Sequence, residues 1–140
     1  MARFPFGIPN SWYVVAYSHE LAPGELRRLQ YFDRDLVLFR GEGGSAAVLD
    51  AYCPHLGAHL AVGGEVVGET LRCPFHAWRW NGDGGCEEIP YAKRIPPNVR
   101  IDAYPVVERN GMIFVWVHAE GAAPTFEIPE VAGWGEAGWL

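Results

Sequence analysis

The sequence predicts an all-β domain, and three observations carry that prediction. Apolar runs are short and separated by turn residues, with 17 glycines and 11 prolines in 140 residues. Aromatic side chains are plentiful, with six Trp, six Tyr and seven Phe, and aromatic and β-branched residues suit the pleated, half-buried surface of a strand. Helix signals are weak everywhere, with no heptad pattern and no internal repeat. A chain of this length forms one ordinary domain and buries a real core without disulfide staples.

The elements follow in order. Trp12 to Tyr17 is a strand-like run ending at Ser18. Leu26 to Phe32 and Leu36 to Phe39 flank Asp33-Arg34-Asp35, which predicts a hairpin. Ala46 to Tyr52 is a further strand, entered through Gly41-Glu42-Gly43-Gly44. Val106 to Glu108 and Met112 to Val117 flank Asn110-Gly111, a dipeptide that tolerates positive φ at both positions of a tight turn. Between them, residues 53–98 carry Cys/His motifs, glycines and prolines, and read as loops and short strands around a site. The expected organisation is one domain over 1–120, with a small cluster-binding subdomain at about 52–98 on an antiparallel sandwich- or barrel-like base. Residues 121–140 read as an extended tail or linker.

Charge narrows the function. The formal net charge is −6, and no basic run is longer than Arg27-Arg28 or Lys93-Arg94, so the basic stripe of a nucleic-acid binder is missing. No apolar run approaches the roughly 20 residues of a membrane helix, and Met1-Ala2-Arg3-Phe4-Pro5 lacks a signal-peptide core. The expected compartment is the reducing cytoplasm. There, cysteines near histidines suggest a metal before they suggest disulfides.

The informative residues are Cys53-Pro54-His55 and Cys73-Pro74-Phe75-His76. Each motif offers one thiolate and one imidazole from a proline-stiffened loop. Two such loops side by side suit a [2Fe-2S] core, with both cysteines on one iron and both histidines on the other. The mixed set has an electrostatic consequence. Four thiolates on an oxidised core of charge +2 make a dianion, whereas two thiolates and two neutral imidazoles leave it near zero. An electron is added more easily to the neutral cluster, so the potential rises from about −400 mV to between about −150 and +300 mV. Two Cys and two His also make a tetrahedral zinc site, although zinc modules usually pair like residues in each half. A zinc-stabilised binding module therefore stands as the alternative.

At these residues the chain resembles a known family. Cys53-Pro54-His55-Leu56-Gly57-Ala58-His59-Leu60 and Cys73-Pro74-Phe75-His76-Ala77-Trp78-Arg79-Trp80 are similar to the two cluster loops of Rieske non-haem iron oxygenases. Ile89-Pro90-Tyr91-Ala92-Lys93-Arg94-Ile95-Pro96-Pro97 resembles the steroid-acting branch, the oxygenase components of 3-ketosteroid 9α-hydroxylases and the cholesterol 7-desaturases. The resemblance runs from about Trp12 to about Pro129. It implies one-electron transfer from a flavin or ferredoxin-type reductase to a mononuclear-iron oxygenase domain, which this sequence does not contain. It also implies that the loop-bridging disulfide of the respiratory type is missing, since Ala58 and Phe75 occupy those positions. Few hydroxyl donors surround the motif, which places the potential low in the Rieske range. Backbone N–H groups near His55, Leu56, Phe75, Ala77 and Trp78 are expected to face the sulfurs. A free-standing ferredoxin serving an oxygenase, or a free-standing redox regulator, are the other redox readings.

Several residues have plainer expectations. Cys86 has no role as a fifth ligand and is expected to be a packed or partly exposed free thiol. His59 is expected to pack or cap locally, and His19 and His118 to lie at the surface. Trp78 and Trp80 either shield the cluster or fill core, and Lys93 and Arg94 either dock a partner or are solvated.

Overall fold

The computed structural model describes residues 7–136. Eleven strands and one 3-10 turn make up its regular structure, and no α-helix occurs among the described residues. The strands are β1 (Ser11–Tyr17), β2 (Leu26–Tyr31), β3 (Arg34–Arg40), β4 (Ala46–Asp50), β5 (Glu65–Val67), β6 (Thr70–Arg72), β7 (Arg79–Asn81), β8 (Cys86–Glu88), β9 (Ala103–Tyr104), β10 (Val106–Arg109) and β11 (Met112–Val117). They form three antiparallel sheets, ordered β1-β11-β10, β2-β3-β4-β9 and β5-β6-β7-β8.

The middle sheet explains the architecture. Leu36, Val37, Leu38 and Phe39 in β3 are all buried, and a continuous apolar run marks a strand covered on both faces. Their side chains alternate between two cores, as a period of two requires. Leu36, Leu38 and Val48 face Val15, Leu29, Ile113 and Val115. Val37, Phe39, Ala47 and Leu49 face Leu60, Leu71, Trp80 and the two motif cysteines. The first core joins the middle sheet to the β1-β11-β10 base. The second seats the small β5–β8 sheet, which carries the motifs, on the other face. Burying one such Leu, Val or Phe side chain contributes about 1.5–3 kcal/mol.

The Asn110-Gly111 hairpin forms as the sequence predicts, with φ of 53° and 72°. The β2–β3 turn does not sit at Asp33-Arg34-Asp35. Pairing continues to Tyr31↔Arg34, which leaves Phe32 and Asp33 as a two-residue turn with φ of 60° and 56°. Contacts decide this, since Phe32 packs edge-on against Tyr13 at 5.1 Å and Arg34 donates to the Tyr104 hydroxyl at 2.8 Å. The fourth strand stops at Asp50, and Tyr52 instead bridges to His59.

Residues 119–136 contain no strand or helix but are pinned to the base. The Trp12 indole donates to the Phe126 carbonyl at 2.9 Å, the Trp116 indole to Ala122 at 2.9 Å, and Asn110 bonds both Pro129 and Val131.

Candidate metal centre

The two Cys/His motifs fold into loops with the same backbone hydrogen bonds. In the first, the Cys53 N–H donates to Ala58 O at 2.9 Å and the Gly57 N–H to Cys53 O at 2.8 Å. In the second, the Cys73 N–H donates to Trp78 O at 2.8 Å and the Ala77 N–H to Cys73 O at 3.2 Å. Gly57 and Ala77, each four residues past a cysteine, both take positive φ (77° and 60°). The Tyr52↔His59 bridge closes the first loop, and the Arg72↔Arg79 pair of β6 and β7 closes the second. Gly64 lets the chain leave the first loop closely, since a Cβ there would overlap the Leu60 carbonyl. At Gly63 a Cβ would come within 3.3 Å of Pro74, so the loops lie side by side.

This arrangement sorts the four candidate donors by chemistry. Cys53 and Cys73 are free thiols, buried in the second core. Burial pushes the Cys53 thiol up, and the Cys73 sulfur beside it adds to the rise, while the His55 N–H and the Trp80 indole oppose it. His55 and His76 lie nearer the surface with ring centroids 5.0 Å apart. His76 is exposed and His55 half-buried. Trp78 covers one face of His55, stacked at 4.2 Å and 10°. The Trp78 indole in turn donates to the Tyr91 hydroxyl at 2.6 Å, which ties segment 89–97 to the site.

The donor set fits a two-metal cluster. The buried Cys53 thiol resists ionising unless a cationic core neutralises it. The imidazoles form a second pair, with ring centroids 5.0 Å apart.

Other expectations meet mixed outcomes. The Ala77 N–H donates to the Cys73 carbonyl in the tight turn. Leu56 and Phe75 project outward, 63% and 64% exposed. Cys86 is a half-buried free thiol on β8 that donates to the Glu88 carbonyl at 3.6 Å. His59 caps locally, its Nδ1 accepting the Ala61 N–H at 3.1 Å. His19 is exposed and His118 half-buried, and Lys93 and Arg94 are exposed.

Sequence reading missed Arg40. It is the one charged side chain among the buried residues described. It grips both Glu108 carboxylate oxygens at 2.8 and 2.7 Å and donates to the carbonyls of Leu21, Gly44 and Ser18. An arginine ending an apolar strand, whose partner acid Glu108 lies 68 residues further along the chain, gives no signal of that role.

A family model of the Rieske [2Fe-2S] domain matches residues 11–105, spanning both loops and the middle sheet. The chain belongs to the Rieske [2Fe-2S] domain family. Its cofactor is therefore a Rieske-type [2Fe-2S] cluster with Cys and His ligands. Among curated relatives, the Rieske chain is 48% identical to cholesterol 7-desaturase nvd of Xenopus laevis over 123 residues, covering 87% of this chain and 27% of that one. It is 46% identical over 132 residues to a probable 3-ketosteroid-9-alpha-monooxygenase oxygenase component of Rhodococcus rhodochrous, covering 93% and 33%. The crystal structure of apo dicamba monooxygenase superposes with a TM-score of 0.75 at 32% identity, covering 89% of this chain and 38% of that one. The chain thus spans about a third or less of the curated relatives' length.

Proposed function

We propose that this chain is the electron-transfer module of a steroid-type Rieske oxygenase, and that Cys53, His55, Cys73 and His76 hold its cluster. The observation that carries the reading is the pair of equivalent loops, which gathers two thiols in the core and two imidazoles toward the surface. When bound, the cluster supplies reversible storage of one electron. Cys53 and Cys73 would hold it from the apolar core, which excludes water. His55 and His76 would hold it from the surface side, with Trp78 stacked on the His55 ring. Leu56 and Phe75 line the exposed rim against which a redox partner closes.

The donor in this reading is a flavin or ferredoxin-type reductase. The acceptor is a mononuclear iron site of two histidines and a carboxylate, held by a domain outside the described residues. Sterol ring chemistry at that acceptor is supported by the relatives named for cholesterol and 3-ketosteroid, and by segment 89–97 lying against the site through Tyr91. Among the described residues no helix is long and apolar enough to cross a membrane, and three unpaired thiols suit a reducing cytoplasm.

Electron paramagnetic resonance of the dithionite-reduced protein tests the assignment. A [2Fe-2S] signal with nitrogen coupling from two imidazoles, altered by His55→Ala and by His76→Ala, is expected. A colourless, zinc-loaded protein without that signal overturns it.

A further inference from the structure

Segment 89–97 is fastened at one end and open at the other. Ile89 is buried, and the Ala92 N–H donates to its carbonyl at 3.0 Å, which closes a turn with Pro90 and Tyr91 at its tip. The Tyr91 hydroxyl accepts the Trp78 indole N–H at 2.6 Å, and Trp78 lies on the His55 ring. Lys93 and Arg94 follow two and three residues later, so their Cα atoms lie at most about 7 and 11 Å from that of Tyr91. Both are exposed, and neither makes a hydrogen bond or ion pair among the described residues. The other described arginines are each engaged with a carboxylate, the Tyr104 hydroxyl or a backbone carbonyl. The nearest acids in sequence, Glu87 and Glu88, are bonded to Asn81 and Arg79.

We propose that Lys93 and Arg94, held beside the histidine pair by the Tyr91–Trp78 bond, are the docking point for the acidic face of an electron-donor protein. The inference rests on the assignment of the cluster to the two loops. The chain as a whole carries a net charge of −6, so two unneutralised cations make a local spot of opposite sign. They adjoin the exposed apolar side chains of Leu56, Phe75 and Tyr91. An apolar patch gives a partner contact area, and the adjoining charge selects its sign and orientation. Charge also separates donor from acceptor. In the reading above, the acceptor is a domain of the same oxygenase and is held near by assembly. A donor must find this face by diffusion, and charge complementarity raises the rate of that encounter.

The test is stopped-flow reduction of the oxidised, cluster-loaded full chain by a reduced, acidic plant-type [2Fe-2S] ferredoxin. One electron passes from the ferredoxin cluster, at about −400 mV, to the higher-potential Rieske cluster. Two proteins of like net charge repel, and screening that repulsion would make the rate rise with salt. Local steering has the opposite sign, so the second-order rate constant is expected to fall as ionic strength rises from about 10 to 200 mM. In the double variant Lys93→Gln/Arg94→Gln the rate at low salt is expected to fall about threefold to tenfold, and the salt dependence to flatten or reverse. Its midpoint potential is expected to stay unchanged, since neither side chain bonds a described residue. A native rate that rises with salt, a double variant equal to the native chain, or a loss equal at every ionic strength overturns the proposal while leaving the cluster assignment intact. Absence of the Rieske signal from the unmodified chain would instead remove the assignment on which it rests.

Discussion

Ala77 holds a left-handed backbone, φ 60°, at the position where the equivalent loop uses Gly57. An L-residue pays about 1–2 kcal/mol for that conformation, and glycine does not. Ala77→Gly is therefore expected to stabilise the fold by about 0.5–1 kcal/mol net of the glycine's greater unfolded-state entropy, read as a higher Tm in thermal denaturation. At His55 the same scale governs charge. Replacing the imidazole by a thiolate in His55→Cys adds negative charge to the cluster, so its reduction potential is expected to fall. Voltammetry on the loaded variant checks this, and an unchanged potential would contradict the charge argument.

Elements are joined by contacts that neither partner announces alone. Arg40 ends β3, and Glu108 lies in β10 of a different sheet, yet their bidentate pair links the two. Its remaining N–H groups satisfy carbonyls from the β1–β2 connection and the β3–β4 turn. A lysine cannot reproduce that fork. Arg40→Met is expected to cost about 3 kcal/mol, because the buried carbonyls lose their donors while Glu108, about a third exposed, recovers water in part. Chemical denaturation gives the value, and a loss under 1 kcal/mol would show that the clamp is incidental. β3 itself shows the same dependence on context. Its apolar run is legible as a strand, but only the two sheets packed against it explain why both faces are apolar.

For the whole molecule, the Arg40–Glu108 pair makes stability depend on acid. The hydrogen bonds from Arg40 hold the Glu108 carboxyl below the ordinary glutamate value near 4.5, against a smaller opposing effect of burial. A carboxyl depressed in the folded state contributes stability that is fully present above its unfolded value and is lost as pH falls through its folded value. The chain is therefore expected to lose stability progressively below about pH 4.5, and Glu108→Gln to flatten part of that slope. Asp50 acts with opposite sign. Burial raises its carboxyl, so its contribution is present below the unfolded value and is lost as pH rises through the folded one. Denaturation midpoints for the native chain and Glu108→Gln between pH 3 and 7 separate the two effects.

The all-β class, the Asn110-Gly111 hairpin and the two Cys/His motifs were legible in the sequence, because each depends on residues adjacent in the chain. Turn chemistry, strand periodicity and the Cys-x-His and Cys-x-x-His spacings are local. Only the packed fold places the cysteines in one core and the histidines near the surface, lays Trp78 over His55 with its indole N–H donated to the Tyr91 hydroxyl, and buries Trp80 without a protein acceptor. It also moved the β2–β3 turn to Phe32-Asp33, where packing against Tyr13 outweighed the local preference for polar turn residues. The physical reason is that hydrophobic burial is non-directional and pools residues distant in sequence. Which polar group ends beside which sulfur is fixed only after three sheets have packed.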